Sequence, residues 1–514
     1  MKGRKENSIS RIRNSAKNLS FAVIGQLIVA VFTFLERKVF INFLSLDYLG
    51  INGLYSSILT VLSLADLGIG SAIIYSLYSP LADDDQEQIA SLIRLFRKAY
   101  FIIGTTVLAI GLALIPFLHL IVKSELSRSE LYIYYILFLV NTVISYFYSY
   151  KTSLIEADQK KYIITSVTTG VQIVLYVLQL SEIMVFRNFY AYLILAIVMN
   201  WVKYAILSHK ADKMYPILKK KEVKPLDREV TLNIKRNIKA LFMHKIGSVV
   251  VNSTDNILTS ALISLATVGL YSNYLMVFNG LSTSMWMFYA AIVASIGNLC
   301  ASESRSQIFD SFRNLNIATF IVHAVCTTVL FVCMEPFISY CFGSNLCLGQ
   351  ETVTLLCLSF YIYGMRKGIG TYREAMGLYW FDRYKPLAES AVNLIASIIL
   401  GKLWGLNGII LGTIISAVFS CVIVEPYVVF RHGFKRNPLS YYRDYFLKLG
   451  LMVLMCLGSY FICSLLPLSG ITGLITYAVI SIIISVSVLL GIYRKDEGCR
   501  KLIDIVKTAV SRNK

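Results

Sequence analysis

Leu49-Gly-Ile-Asn-Gly-Leu-Tyr55 and Val268-Gly-Leu-Tyr-Ser-Asn-Tyr274 sit inside two longer stretches, Asn14 to Arg94 and Asn233 to Arg313, that align without a gap. The offset is 219 residues, Asp255 standing opposite Glu36. It also pairs Lys17 with Arg236, Asn18 with Asn237, Gly50 with Gly269, Tyr55 with Tyr274, Ser63 with Ser282, Ala82 with Ala301 and Gln88 with Gln307. Apolar coincidences are cheap in a greasy chain. These matches are polar, glycine or tyrosine, and they keep one register through two hydrophobic segments and the loop between them. The chain is therefore read as two homologous lobes. Both copies start from a basic flank, so both enter the membrane in the same sense, related by an axis along the membrane normal.

Composition reaches the membrane independently. The chain has 514 residues, of which 56% are apolar and 15% charged, with a mean hydropathy of +0.64. That much apolar surface exceeds what one soluble core hides. Windows of roughly 20 apolar residues give about 14 spans. Their expected limits are Asn18 to Phe43, Gly50 to Tyr78, Tyr100 to Val122, Leu131 to Tyr150, Tyr162 to Phe186, Phe189 to Ser208, Ile238 to Ile263, Val268 to Leu299, Leu315 to Tyr340, Thr352 to Gly370, Pro386 to Leu403, Gly408 to Phe430, Phe446 to Leu466 and Ile471 to Tyr493. The expected fold is an all-α integral membrane protein. Its parts are an N-lobe over residues 1–209, a basic connector over 210–232, a C-lobe over 233–435, and a C-terminal helix pair with a basic tail over 436–514.

Basic residues set the orientation. With both termini in the cytoplasm, about 39 Lys and Arg fall inside and about 6 outside. The formal charge of +19 is then a product of the positive-inside rule and calls for no nucleic acid. Lys2, Arg4, Lys5, Arg11 and Arg13 precede an apolar run too long for a signal peptide, so that run is expected to stay in the mature chain. The ten cysteines all follow Leu299 without a Cys-x-x-Cys pair and read as packing residues. Cys341 and Cys347, flanking an outer loop, are the one candidate pair. The polar stretch from Lys210 to Lys239, broken by Pro216 and Pro225, reads as a short amphipathic elbow on the inner leaflet.

An ionisable group in mid-membrane costs about 2.5 to 3.5 kcal/mol on insertion scales, so embedded charges mark cavities or partners. The candidates are Glu36, Arg37, Lys38 and Asp66 in the first lobe, and His244, Lys245, Asp255, Glu335, Arg366, Lys367, Arg373, Glu374 and Glu425 in the second. Lys245 lies about 13 Å along its helix from the membrane entry, near the middle; Glu36 and Asp255 lie roughly 28 Å in, near the outer rim. Lys245, Arg366 and Lys367 suit an anion-binding cavity or helix-to-helix pairing. Arg37 and Lys38 suit interfacial anchors or cavity residues. Asp66, in Leu64-Ala-Asp-Leu-Gly-Ile-Gly70 where Gly68 and Gly70 loosen the helix and permit close packing or a bend, suits an ion pair or a sodium or proton site, as do Asp255 and Glu36. Arg373 and Glu374 are expected to satisfy each other. The 33 tyrosines, including Tyr132, Tyr134, Tyr135, Tyr146, Tyr148 and Tyr150, are read mainly as an aromatic belt, with sugar stacking as the alternative. No phosphate loop, metal spacing or catalytic constellation is present, so no cofactor, metal or catalytic residue is expected.

Tyr48-Leu-Gly-Ile-Asn-Gly-Leu-Tyr55, Leu64-Ala-Asp-Leu-Gly-Ile-Gly-Ser-Ala-Ile73 and Tyr78-Ser-Pro-Leu-Ala82 carry a resemblance, with Thr254-Asp-Asn-Ile-Leu258 and Gly377-Leu-Tyr-Trp-Phe-Asp-Arg-Tyr-Lys-Pro-Leu387. Over essentially its whole length the chain resembles the polysaccharide-transporter branch of the multidrug/oligosaccharidyl-lipid/polysaccharide exporter superfamily. The resemblance implies two six-helix lobes forming a V-shaped cavity, with an added helix pair. It implies a flippase, not an enzyme, for undecaprenyl-diphosphate-linked capsule, exopolysaccharide or teichoic-acid units in the bacterial cytoplasmic membrane. Membrane lipids, a polysaccharide polymerase and glycosyltransferases would be its partners. Related flippases cradle the diphosphate with cationic side chains, and Lys245, Arg366 and Lys367 match these by position rather than by motif. Two alternatives stand beside it: a cation-coupled multidrug exporter of the same superfamily, which calls for acidic residues deep in the cavity, and a membrane glycan polymerase, which calls for large outer loops.

Overall fold

A computed structural model of the chain describes residues 2–63, 69–219 and 253–494 continuously, with Leu226, Thr231, Leu232, Ile234, Ile238, Gly247, Val249, Val251, Asp496 and Arg500 besides. Within these, side chains are described from residue 21 onward except at 22, 23, 69, 71, 219, 291 and 294. Every regular element among the described residues is helical. Apart from a single helical turn at Leu118–Ile121, the helices are α1 Lys2–Phe43, α2 Leu46–Leu62, α3 Ile69–Ala82, α4 Gln86–Leu114, α5 Arg128–Ala157, α6 Lys161–Val185 and α7 Phe189–Met214. After the connector come α8 Leu265–Ser302, α9 Arg305–Phe342, α10 Gln350–Ala375, α11 Lys385–Ala417, α12 Glu425–Val428, α13 Leu439–Ser464 and α14 Gly470–Tyr493. Among the described residues, nine helical stretches are long and apolar enough to cross a membrane. This is a multi-pass membrane chain.

The repeat register survives in three dimensions. Helices α2 and α8 start at Leu46 and Leu265, which are repeat partners, and so do α4 and α9, at Gln86 and Arg305. The caps correspond too. Asp85 accepts from the Gln88 amide at 2.9 Å, and its counterpart Ser304 closes a capping box with Gln307. A side-chain oxygen at that position satisfies an otherwise orphaned amide of the first turn. Gln88 and Gln307, paired in the sequence, are thus the residues that start equivalent helices. Both helices begin well before the apolar windows at Tyr100 and Leu315, as capped polar first turns standing ahead of the membrane segment.

The chain divides into two compact units, Met1–Gly269 and Leu270–Lys514. In the first, α1 packs along α6, and α5 is surrounded by α2, α3, α4, α6 and α7. Tyr55, Tyr134 and Tyr135 are fully buried there, and the Tyr55 hydroxyl donates to the Leu131 carbonyl at 2.9 Å. Tyr146 is buried as well, and Tyr148 stacks on Tyr204 at 5.7 Å between ring centroids. On α5 the rings of Tyr134, Tyr135 and Tyr146 are therefore core rather than belt, whereas Tyr132, Tyr148 and Tyr150 are half-buried and the same helix exposes Ile133, Ile136, Val140 and Phe147. Two polar ties fasten α7 to α5. Asn200 donates to the carbonyl and side chain of Asn141, both at 2.9 Å, and Lys151 reaches Ser208 and Asp212, both at 2.7 Å.

Residues at the start of the second copy belong to this same unit. Asn256 donates to Ser57 Oγ at 2.9 Å, Ser260 Oγ to the Ile121 carbonyl at 2.9 Å, and Lys123 Nζ to the Leu262 carbonyl at 3.0 Å. The described part of the connector opens with a short turn, Pro216–Lys219. Tyr215 anchors it by donating to Asp158 at 2.6 Å, and Ile217, Leu218 and Leu226 rest against the core.

In the second unit α9 packs against α10, α13 and α14. Gly364 permits the α9–α10 approach: a Cβ there would lie 2.0 Å from His323 Cδ2 and 2.6 Å from its Nε2. His323 is held in place by a 2.8 Å hydrogen bond to the Thr319 carbonyl. Gly364→Ala is expected to destabilise by about 1–3 kcal/mol through overpacking. Detergent-solubilised thermal unfolding checks this, and His323→Ala in the same chain should recover part of the loss. Helix α11 bends at Trp404 and Gly405, where Gly405 takes φ 58° and ψ −134°. That bend falls between the two spans expected to end at Leu403 and begin at Gly408, and the halves fold back on each other. Asn393 reaches Thr413 Oγ1 at 2.9 Å. The C-terminal pair α13 and α14 is tied to α9 by Arg313 to Asp496 at 3.2 Å and by Cys456 to Thr328 at 3.7 Å. No disulfide joins any of the nine described cysteines. The pairing of Cys341 with Cys347 is accordingly not made.

Candidate functional site

The densest group of embedded charges lies in the second unit. Arg366 and Arg373 stand on α10 seven residues apart, which places them on one face two turns from each other. Gly377 then turns the chain with φ 65°, and the loop that follows returns Asp382 and Lys385 toward the same face. Glu425 approaches from the far end of the second apolar hairpin. It sits between two π-helical stretches, Val418–Val424 and Val429–Phe434, and Pro426 follows it. A π-helical register is rare and appears mostly as short bulges inside α-helices, frequently at functional sites. Here it brings one carboxylate, fully buried, to three cations.

Glu425 accepts from Arg366 in bidentate fashion, Nε at 3.1 and 3.0 Å and Nη2 at 2.8 Å. Arg373 Nη1 donates to the same Oε1 at 3.1 Å, and Lys385 Nζ also donates to it. Arg373 is shared with Asp382, and Lys385 lies 3.9 Å from Glu389. Three cations thus face three carboxylates. The arrangement satisfies most of the lone pairs a buried charge must fill, leaving Arg373 Nε and Asp382 Oδ1 without hydrogen-bond partners among the described residues. Accessibility separates the cations: the Arg366 side chain is 29% exposed, Arg373 12% and Lys385 2%. Lys367, beside Arg366 and half-buried, makes no ion pair with a described residue.

Of the expected residues, Arg366 is found in a helix-to-helix pair and Lys367 next to it. Arg373 does not pair with Glu374. Adjacent residues on a helix point about 100° apart, and Arg373 turns to Asp382 and Glu425 instead. Glu335 accepts from the Tyr274 hydroxyl at 2.7 Å and the Gly349 amide at 2.9 Å. In the first unit Glu36 accepts from the Tyr192 hydroxyl at 2.5 Å; Arg37 is half-buried and Lys38 exposed. Asp255 is half-buried, and its carbonyl accepts from Thr259 Oγ1 at 2.7 Å. Lys245, His244 and Asp66 lie outside the described residues. The sequence reading missed Asp382, Lys385 and Glu389 as members of the cluster. It also missed Lys203 in the middle of α7, whose ammonium lies 4.2 Å from the centroid of the Tyr204 ring. Charge balance carried a signal for the first group: an embedded Glu425 demands cations, and Arg383 and Lys385 follow closely on α10.

The helical arrangement is shared with solved transporters. Over 93% of this chain and 99% of the other, it superposes on the lipid II flippase MurJ in an inward closed conformation, with a TM-score of 0.64 and 14% identity. A multidrug resistance MATE family transporter of the MOP superfamily, inward-facing, matches over 79% of this chain and 97% of its own, with TM-score 0.59 and 14% identity. A mutant of the Vibrio cholerae MATE transporter VcmN matches over 83% and 99%, with TM-score 0.51 and 15% identity. The chain has the fold of these transporters. No protein-family model matches it, and no curated protein does.

Proposed function

We propose that the protein is a flippase that moves undecaprenyl-diphosphate-linked oligosaccharide units, of capsule, exopolysaccharide or teichoic-acid type, across the bacterial cytoplasmic membrane by alternating access. In this reading both termini are cytoplasmic, the protein makes no covalent change to its cargo, and the polymerase and glycosyltransferases act before and after it. One observation carries the reading: a partly exposed guanidinium, Arg366, stands beside Lys367, a cation with no described carboxylate partner, within a fold shared with a lipid II flippase.

The physical argument runs from the cargo. A diphosphate and its sugars do not cross hydrocarbon unaided, since each polar group would lose its water. Guanidinium donors match phosphate oxygens bidentately, and an ammonium adds a point charge. Lys245, Arg366 and Lys367 are the proposed cradle, with Arg37 and Lys38 contributing from the first lobe. The prenyl tail stays in lipid while the lobes rock about the fixed site. Outward transfer of negative charge down an inside-negative potential releases about 2.3 kcal/mol per charge per 100 mV, so export runs without an obligatory ion. Asp66, Asp255 and Glu36 are the residues through which sodium or proton coupling would act.

A cation-coupled drug exporter is the second reading, favoured by the likeness to MATE transporters and by the buried carboxylate of Glu425. That carboxylate is already matched by three cations, which leaves little charge for a drug cation. Leaflet-resolved flipping in proteoliposomes separates the two. Wild type is expected to flip a labelled undecaprenyl-diphosphate glycan, and Lys245→Ala with Arg366→Ala, at matched reconstitution and with unfolding temperature recorded, is expected to lower the rate about a hundredfold, the loss of two charge-assisted contacts. Unchanged flipping in the double variant would remove the cradle. Failure of wild type on every glycan lipid, with efflux of cationic dyes, would transfer the protein to the drug-exporter reading.

A further inference from the structure

The loop between α10 and α11 carries four large rings in six residues, and all of them face outward. Tyr379 is 38% exposed, Trp380 69%, Phe381 51% and Tyr384 65%. The loop itself is not loose. Leu378, Asp382 and Lys385 are buried, Arg373 holds Asp382 and Glu425 holds Lys385. Fixed ion pairs on the inside therefore present the aromatic rings on the outside. A soluble loop with so much exposed ring would be an aggregation hazard.

Arg383 distinguishes this surface from a plain aromatic belt. Its guanidinium lies 4.0 Å from the Trp380 ring centroid and 4.8 Å from that of Tyr384, and Nη1 donates to the Trp380 carbonyl at 3.0 Å. Arg366, Arg373 and Lys385 are matched by carboxylates, whereas Arg383 forms no ion pair with a described residue. Phe381 stacks on His432 with centroids 3.9 Å apart and planes 13° apart, joining the loop to the segment that bears exposed Arg431, Lys435 and Arg436. Glu374 is the exposed acid on the flank of the loop. The surface is thus aromatic and basic together, at the end of two membrane spans.

We propose that this loop is a binding site for the phosphate of an anionic phospholipid in the inner leaflet, with Arg383 as the phosphate ligand and Trp380 and Tyr384 as its stacking supports in the headgroup layer. Arg stacked on rings keeps its fork of donors pre-oriented while its planar faces are covered, which suits a phosphate diester. Trp and Tyr bring an apolar body and a polar edge to the same depth. The positive-inside assignment places the loop on the leaflet where anionic headgroups complement the basic residues around it. The proposal stands apart from the transported substrate.

A single-tryptophan protein, with Trp201, Trp286 and Trp404 changed to Phe, makes Trp380 the only reporter. In phosphatidylglycerol nanodiscs, lipid brominated near the headgroup is expected to quench it about twofold or more over the quenching by aqueous iodide, as for a ring at the interface. Arg383→Gln is expected to lose most of the phosphatidylglycerol retained by the detergent-purified protein in native mass spectrometry, with phosphatidylcholine retention unchanged. Inorganic phosphate added in excess is expected to leave the bound lipid in place. Stronger quenching by iodide than by brominated lipid would place the loop in water and overturn the proposal, as would phosphatidylglycerol retention unaffected by Arg383→Gln in a protein of unchanged unfolding temperature.

Discussion

Glu425→Ala is expected to destabilise the protein by about 3–5 kcal/mol, because removal of one partner leaves uncompensated buried charges. Glu425 is the acceptor common to Arg366, Arg373 and Lys385, and Lys385 has nearly no solvent to fall back on. In a unit of this size each kcal/mol shifts unfolding by roughly 2–4 °C, so the drop in detergent should reach about 10 °C. Glu425→Gln keeps one acceptor oxygen and most of the shape, and should lose less, although it removes the charge that balances the cluster. Arg366→Ala should be the mildest of the three, since Arg373 and Lys385 still serve the carboxylate and Arg366 is partly solvated. The ranking is the discriminating result. If Glu425→Ala melted at the wild-type temperature, the three cations would have another anion, and the cluster would lose its structural role.

What the sequence revealed and what it hid divide along a physical line. The 219-residue register was legible because helix starts depend on local chemistry. Asp85 and Ser304 are capping residues, and the structure begins equivalent helices right after them. The bend at Trp404 and Gly405 was legible for the same reason, as a gap in the apolar pattern that a glycine can turn. Side-chain partners were not. Arg373 finds Asp382 nine residues on and Glu425 fifty-two residues on, and only the fold of the loop and the π-helical register of the last hairpin decide that choice. The tyrosines of α5 divide for a related reason: composition tells that rings are abundant, whereas the helices packed around α5 turn Tyr134, Tyr135 and Tyr146 into core and leave Tyr132, Tyr148 and Tyr150 half-buried. Asp382 and Lys385 stood in a quoted motif, but nothing in their spacing named Glu425 as the group they would meet.

Gly50→Ala is expected to destabilise the protein as well, by a different route. A Cβ on Gly50 would lie 2.1 Å from the Leu265 carbonyl oxygen, and one on Gly269 would lie 2.5 Å from the Leu46 carbonyl oxygen. Both obstacles are backbone, which cannot rotate away as a side chain can, so the two helix starts must separate; overpacking of this kind costs about 1–3 kcal/mol or more. Gly50 and Gly269 are repeat partners, as are Leu46 and Leu265, so within the first unit one sequence rule makes the same contact twice, each glycine lying against the other copy's leucine. Two consequences follow. Gly50→Ala and Gly269→Ala should lower the unfolding temperature by similar amounts, and the double variant should fall short of their sum because the first substitution already opens the seam that the second would strain. Gly280→Ala is the control: its Cβ would meet nothing within 4 Å, and an exposed helical glycine replaced by alanine gains about 0.5–1 kcal/mol. If Gly50→Ala instead behaved like Gly280→Ala, the helix starts would stand apart in the membrane, and the pairing of the two copies at these glycines would be lost. Equal effects at positions 50 and 269, with non-additivity between them, can arise only if the repeat read in the sequence is also a contact in the folded chain.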